Sequence, residues 1–156
     1  MKNTVFISFP RSGRTYLRRL LREYYAGPGA GDDVANEPRD ISFDHDFKLD
    51  RVIDPETQYV VVTRDPVRAI HSWEKMDDDR LPTYADKLAH WAAFSHKWVF
   101  PKELCSRRLI IPYEDLIGDT RRILDILISF LGDTPDLWLV HSTVTTNPPR
   151  FRPWSA

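Results

Sequence analysis

The segment that most constrains this chain is its start, Val5-Phe6-Ile7-Ser8-Phe9-Pro10-Arg11-Ser12-Gly13-Arg14-Thr15-Tyr16-Leu17. An apolar strand runs into a turn of small residues, and the turn runs into a helix. The helix carries Tyr16, Leu17, Leu20, Leu21 and Tyr24 on one stripe, with Arg14, Arg18, Arg19 and Arg22 mostly off it. Backbone N–H groups at a helix start point into the turn, and the helix dipole favours a negative guest there. Arg11 and Arg14 add charged donors at the same place. The guest such a loop suits is a phosphate or a sulfate ester. The competing reading is an ordinary strand–turn–helix with arginines facing solvent.

Strand and helix alternate after this start. Strands are expected at Thr4–Phe9, Ile41–Phe43, Gln58–Thr63 and Leu109–Ile111. Helices are expected at Thr15–Tyr25, Val67–Met76, Tyr84–Trp98 capped by Thr83, and Arg121–Leu131 capped by Asp119 or Thr120. The β-branched run at Gln58–Thr63 suits a strand covered on both faces. The pattern predicts an α/β protein with a central parallel sheet flanked by helices and a P-loop-like opening, a single domain over residues 1–156. The glycine-rich Gly27–Asp33 segment reads as a mobile surface loop. In parallel sheets ligands bind beyond the carboxyl ends of the strands, so the loop after each strand is where chemistry is sought.

The net charge is −1, which argues against a general nucleic-acid or membrane-surface binder. Cys105 is the only cysteine, so no intrachain disulfide can form and a reducing compartment fits. No leader or membrane-spanning segment is legible, and the chain reads as soluble and cytoplasmic. Its oligomeric state is not legible.

The opening loop is not a Walker A motif, because the Gly-x-x-x-x-Gly-Lys-Ser/Thr order is absent. Past the strand Gln58–Thr63, Arg64 is followed eight residues later by Ser72, a cation and a hydroxyl able to hold a second phosphate. Arg64-Asp65 reads equally well as a capping pair. Together the segments resemble sulfotransferases that use 3′-phosphoadenosine 5′-phosphosulfate. Phe9 to Tyr16 resembles that family's 5′-phosphosulfate loop. Val62-Thr63-Arg64-Asp65-Pro66 through Ser72 resembles its 3′-phosphate segment, and Pro112-Tyr113-Glu114-Asp115-Leu116 a third family segment whose tyrosine lies near adenine.

The resemblance implies that Arg11, Ser12, Gly13, Arg14 and Thr15 hold the phosphosulfate, that Arg64 and Ser72 hold the 3′-phosphate, and that Tyr16 and Tyr113 flank the adenine. Arg11 stands where cytosolic members have lysine. Tyr16 stands where they have tryptophan. Arg150 and Arg152 correspond to a basic C-terminal segment. The implied reaction moves a sulfuryl group to a hydroxyl, less readily an amine, of a small molecule or glycan, and needs no metal. An ATP- and magnesium-dependent phosphotransferase and a non-catalytic nucleotide-binding module are the alternatives.

Two residues compete as the base. His45, in Phe43-Asp44-His45-Asp46-Phe47, titrates in the useful range, and Asp44 or Asp46 is expected to orient it. Glu37, in Asn36-Glu37-Pro38-Arg39, is the rival, since glycan sulfotransferases use glutamate in a comparable segment. Trp91, Phe94 and Trp98 recur at helical spacing and read as core before acceptor pocket. Asp77-Asp78-Asp79 reads as a solvated loop, with attraction of a cationic acceptor as the sharper option. His90 and His96 lack partners at metal-ligand spacing.

Overall fold

The structure, a computed structural model, describes residues 3–38, 40–102 and 107–150. Cys105 and Arg152 lie outside the described residues. Four parallel strands, β1 (Thr4–Ser8), β2 (Ile41–Asp44), β3 (Gln58–Thr63) and β4 (Arg108–Pro112), form one sheet in the order β2-β1-β3-β4. The helices are α1 (Arg14–Ala26), α2 (Pro66–Glu74), α3 (Tyr84–Trp98), α4 (Tyr113–Gly118), α5 (Thr120–Phe130) and α6 (Leu137–Thr146). The expected α/β class with a central parallel sheet and flanking helices is what the chain adopts. No helix among the described residues is long and apolar enough to cross a membrane.

By internal contacts the chain divides into two compact units. One holds Lys2–Arg14 and Asp40–Tyr113, and the other Thr15–Arg39 and Glu114–Ala156. The first contains the sheet with α2 and α3. Alternate residues of β1 and β3 (Val5, Ile7, Tyr59 and Val61), together with Phe9, form a core with Ala69, Ile70 and Trp73 of α2 and Phe94 and Trp98 of α3. Phe94 and Trp98 are fully buried, which settles them as core. Burial of such large side chains contributes ~1.5–3 kcal/mol each.

Thr83 caps α3 as expected, its hydroxyl accepting from the Asp86 N–H at 3.0 Å. Asp65 caps α2 by accepting from the Arg68 N–H at 3.1 Å, with Pro66 opening the helix where a missing N–H costs nothing.

In the second unit, α5 is capped by Asp119 and buries Ile123, Leu124, Leu127 and Ile128. The expected mobile loop after α1 is instead two short 3-10 turns, Ala30–Asp32 and Val34–Asn36. The Glu23 carboxylate accepts from the N–H groups of Gly29 and Gly31, and Arg22 donates to the Gly31 carbonyl at 3.1 Å. These bonds order the turn. Helix α6 was not foreseen. Its Val-His-Ser-Thr-Val-Thr-Thr run is rich in β-branched residues that weaken a helical reading. The one clear signal was Asp136, whose carboxylate accepts from the N–H groups of Trp138 and Leu139.

Candidate active site

The strand order creates the site. β1 lies between β2 and β3, so the chain leaves β1 toward one side and returns to the other, and the crevice beyond β1 and β3 is a topological switch point. The register then decides which post-strand residues meet. Ile7 pairs with Asp44, so His45 follows opposite Ser8. Thr63 pairs with Pro112, so Arg64 follows opposite Tyr113. These neighbours are far apart in sequence and adjacent only through the sheet.

The loop after β1 has Arg11 at φ 65° and Gly13 at φ 89°, on either side of Ser12. Such alternation makes successive N–H groups of a turn converge, the geometry of an anion nest. Glycine takes this φ freely, whereas arginine does so at a cost of about 1–3 kcal/mol. The Ser12 hydroxyl is buried and has no hydrogen-bond partner among the described residues. A buried hydroxyl left without a partner costs about 1–3 kcal/mol, and an anion in the nest would remove that cost.

Arg11 reaches toward the β3 side, where its Nε donates to the Ser72 hydroxyl of α2 at 3.0 Å. Arg64 Nη1 donates to the Arg11 carbonyl at 2.9 Å, and its guanidinium lies 4.0 Å from the centroid of the Tyr113 ring. Trp91 Nε1 donates to the Arg64 carbonyl at 3.1 Å. Half-buried Trp91 thus braces the turn after β3, a role that helical spacing alone did not reveal. Arg11, Ser12, Gly13, Arg64, Ser72 and Tyr113 are brought together. Asp65 does serve as a cap, and Arg64 points to the loop all the same.

His45 is held at the end of β2. Its Nδ1 lies 2.6 Å from the Ser8 carbonyl oxygen and 3.2 Å from the Ser8 hydroxyl. Neither expected carboxylate orients the ring. Asp44 accepts from the His45 backbone N–H at 2.8 Å and from Arg51 Nη1 at 2.9 Å. Buried Asp46 accepts from Lys97 Nζ at 2.6 Å, Trp98 Nε1 at 2.9 Å and the Arg51 N–H at 2.9 Å. Both carboxylates are committed to cations and N–H donors that fix the loop. Burial pushes the His45 pKa below its ordinary 6.5. The Ser8 carbonyl opposes that shift, while Arg14 and Arg80 reinforce it.

Glu37 is placed differently. Its carboxylate receives a two-pronged bond from Arg18, Nη2 donating at 2.8 Å, and Arg22 Nη2 lies 3.5 Å away. The Arg18 bond holds its pKa below the ordinary 4.5. A carboxylate so engaged is a poor proton acceptor, because protonation must break the Arg18 fork. This geometry makes Glu37 less suited than His45 to accept a proton.

Tyr16 donates to the Asn147 carbonyl at 2.7 Å, and burial raises its pKa. Arg150 is exposed. In the acidic loop, Asp78 accepts from Trp73 Nε1 at 3.1 Å and from Arg80, whose guanidinium lies 4.3 Å from the centroid of the Phe47 ring. Asp78 is a latch, which leaves only exposed Asp77 and Asp79 for the solvated-loop reading. Among the described residues no group of three or more His, Cys, Asp or Glu is placed to hold a metal.

The fold and the site geometry define a parallel α/β sheet with a tight positive-φ turn after its first strand and Arg64 after its third. No family model and no curated protein matches this chain by sequence. Among solved structures, the chain is similar to the sulfotransferase domain of the Synechococcus PCC 7002 olefin synthase. The TM-score is 0.61 at 19% identity, covering 89% of this chain and 77% of that domain. The fold is therefore sulfotransferase-like.

Proposed function

We propose that this chain is a sulfotransferase that moves a sulfuryl group from 3′-phosphoadenosine 5′-phosphosulfate to a hydroxyl of a small molecule or glycan. The observation that carries the reading is the Arg11–Ser72 and Arg64–Tyr113 pairing around an anion nest whose serine hydroxyl has no partner. Two phosphate-directed groups stand side by side, one after β1 and one after β3. The nest, Ser12, Gly13 and Arg14 take the 5′-phosphosulfate. Arg64 and Ser72 take the 3′-phosphate, and Tyr113 lies against the adenine. Thr15, Tyr16 and Arg150 enter through the sequence resemblance alone.

In the reaction, His45 Nε2 takes the proton of the acceptor hydroxyl, and the acceptor oxygen forms a bond to sulfur. The bond from sulfur to the bridging phosphate oxygen breaks, and adenosine 3′,5′-bisphosphate leaves. Arg11 meets the charge that develops on the bridging oxygen. Its guanidinium acts electrostatically, since it does not release a proton near neutral pH.

The test is calorimetric. Adenosine 3′,5′-bisphosphate is expected to bind without magnesium and more tightly than ATP with magnesium. Tight ATP–magnesium binding with no bisphosphate binding would overturn the reading in favour of a phosphotransferase. Bisphosphate binding without transfer of label from radiolabelled donor into a metabolite extract would leave a binding module.

A further inference from the structure

Among the described residues the hydrogen-bond partners of His45 Nδ1 are both on Ser8, neither a carboxylate, which raises the question of what fixes its tautomer. The parallel register places the end of β2 beside the end of β1, and the Ser8 carbonyl oxygen lies 2.6 Å from Nδ1, within hydrogen-bond distance. That oxygen only accepts hydrogen bonds. A lone pair on Nδ1 at that distance would face the carbonyl lone pairs directly, so Nδ1 must carry the hydrogen. The Ser8 hydroxyl, 3.2 Å away, does not reverse this. It can donate only to a bare Nδ1, and a bare Nδ1 is what the carbonyl excludes.

We infer that the Ser8 backbone carbonyl is the positioning group of His45, holding it as the Nδ1–H tautomer with Nε2 as the basic atom. This inference rests on the reading of His45 as the base. Ser8 is fully buried, and Asp46, the residue after His45, accepts from Lys97 and Trp98, so the backbone on either side of the contact is anchored. When Nε2 accepts the acceptor's proton, the Nδ1–H bond to the carbonyl becomes charge-assisted and strengthens. A carbonyl brings no negative charge of its own, unlike a carboxylate. The charged groups acting on the ring are Arg14 and Arg80, which disfavour its cation, and Asp44, which favours it. Burial is the larger influence and, with the two arginines, keeps the ring's pKa below the ordinary 6.5, so the neutral ring prevails at pH 7.

The experiment is nitrogen-15 NMR of the full uniformly labelled chain, with correlations through the imidazole ring. The His45 signals are assigned by their loss in His45→Gln. Above the His45 pKa, Nδ1 is expected at a pyrrole-type shift and Nε2 at a pyridine-type shift. The same pattern is expected in Ser8→Ala, which keeps the carbonyl and removes the hydroxyl. An Nε2–H tautomer or an even mixture in the parent chain overturns the inference, as does a switch to Nε2–H in Ser8→Ala, which would assign control to the hydroxyl. None of these signals needs donor or acceptor. Failure of bisphosphate binding would sink the sulfotransferase reading while the tautomer result stood.

Discussion

Replacing Arg64 with lysine keeps the charge after β3 and removes the planar fork. The native guanidinium makes two contacts that an ammonium cannot reproduce together, the 2.9 Å bond to the Arg11 carbonyl and the 4.0 Å stack on Tyr113. On the proposed reading it also holds the 3′-phosphate. A hydrogen bond to a charged group contributes about 1.5–3 kcal/mol net. At 1.4 kcal/mol per tenfold, losing one arm of the fork weakens adenosine 3′,5′-bisphosphate by about 10- to 100-fold. The stacking loss is not added to this, because both effects pass through one side chain and are not independent. The assay is titration calorimetry of parent and Arg64→Lys with the bisphosphate and with adenosine 5′-phosphate. The loss is expected for the bisphosphate and is expected to shrink to within about threefold for the monophosphate, which lacks the group Arg64 addresses. Equal losses for both ligands would mean that Arg64 only shapes the loop through the Arg11 carbonyl. No loss for either would remove Arg64 from the site.

His45→Ala is expected to lower turnover by about 100- to 10,000-fold, the usual span for a general base, with bisphosphate affinity unchanged within about twofold. The parent's activity is expected to fall on the acid side only as pH drops below 6.5, because the folded-state pKa lies below that ordinary value and the neutral ring is the active form. An acid limb centred above 6.5 would contradict this environment. Glu37→Gln is expected to keep turnover per folded molecule within about twofold and to cost about 1–3 kcal/mol of stability in denaturant melts. Because the folded-state pKa of Glu37 is depressed, its contribution is full above 4.5 and fades as pH falls through the lower folded value, where the two melts should converge. Asp46→Asn withdraws the charge facing Lys97 and is expected to cost about 2–4 kcal/mol, lowering the calorimetric midpoint by roughly 5–15 °C in a chain of this size. An unchanged midpoint would mean the Lys97 contact contributes nothing.

What could be read from the chain was what is local. The β-branched run of β3 and the Thr83-capped α3 fall on the expected residues, because each carries its signal within one segment. Phe9 was expected as the last residue of β1 and lies just past it, though its N–H still bonds the Val62 carbonyl at 3.2 Å. Residues 27–33 looked mobile because glycine and proline dominate them. The side chain that orders them, Glu23, belongs to the preceding helix and carries no turn signal of its own. Helix α6 was hidden for the opposite reason: its cap was visible in Asp136, but the residues behind the cap disfavour the conformation they adopt.

The site divides along the same line. Arg11, Ser12, Arg64 and Ser72 are marked by strand ends and loop chemistry, and the sheet sets Arg11 beside Ser72 and Arg64. The order β2-β1-β3-β4 was not legible, and that order alone decides who stands beside whom. Reading outward from His45 along the chain, the neighbouring carboxylates Asp44 and Asp46 were the natural partners for its ring. Along the sheet, however, the neighbour is Ser8, a residue whose side chain gave no reason to suspect it and whose contribution is made by the backbone. Both aspartates still matter, one holding the His45 N–H and the other anchoring the loop to α3, but they secure the backbone beside the ring, and its Nδ1 faces the strand next door. On the proposed reading, a base oriented this way depends on sheet register: a one-residue slip of β2 against β1 would place Asp44 or Asp46 opposite Ser8, turn every side chain of β2 to the other face, and remove both the base and its tautomer control together.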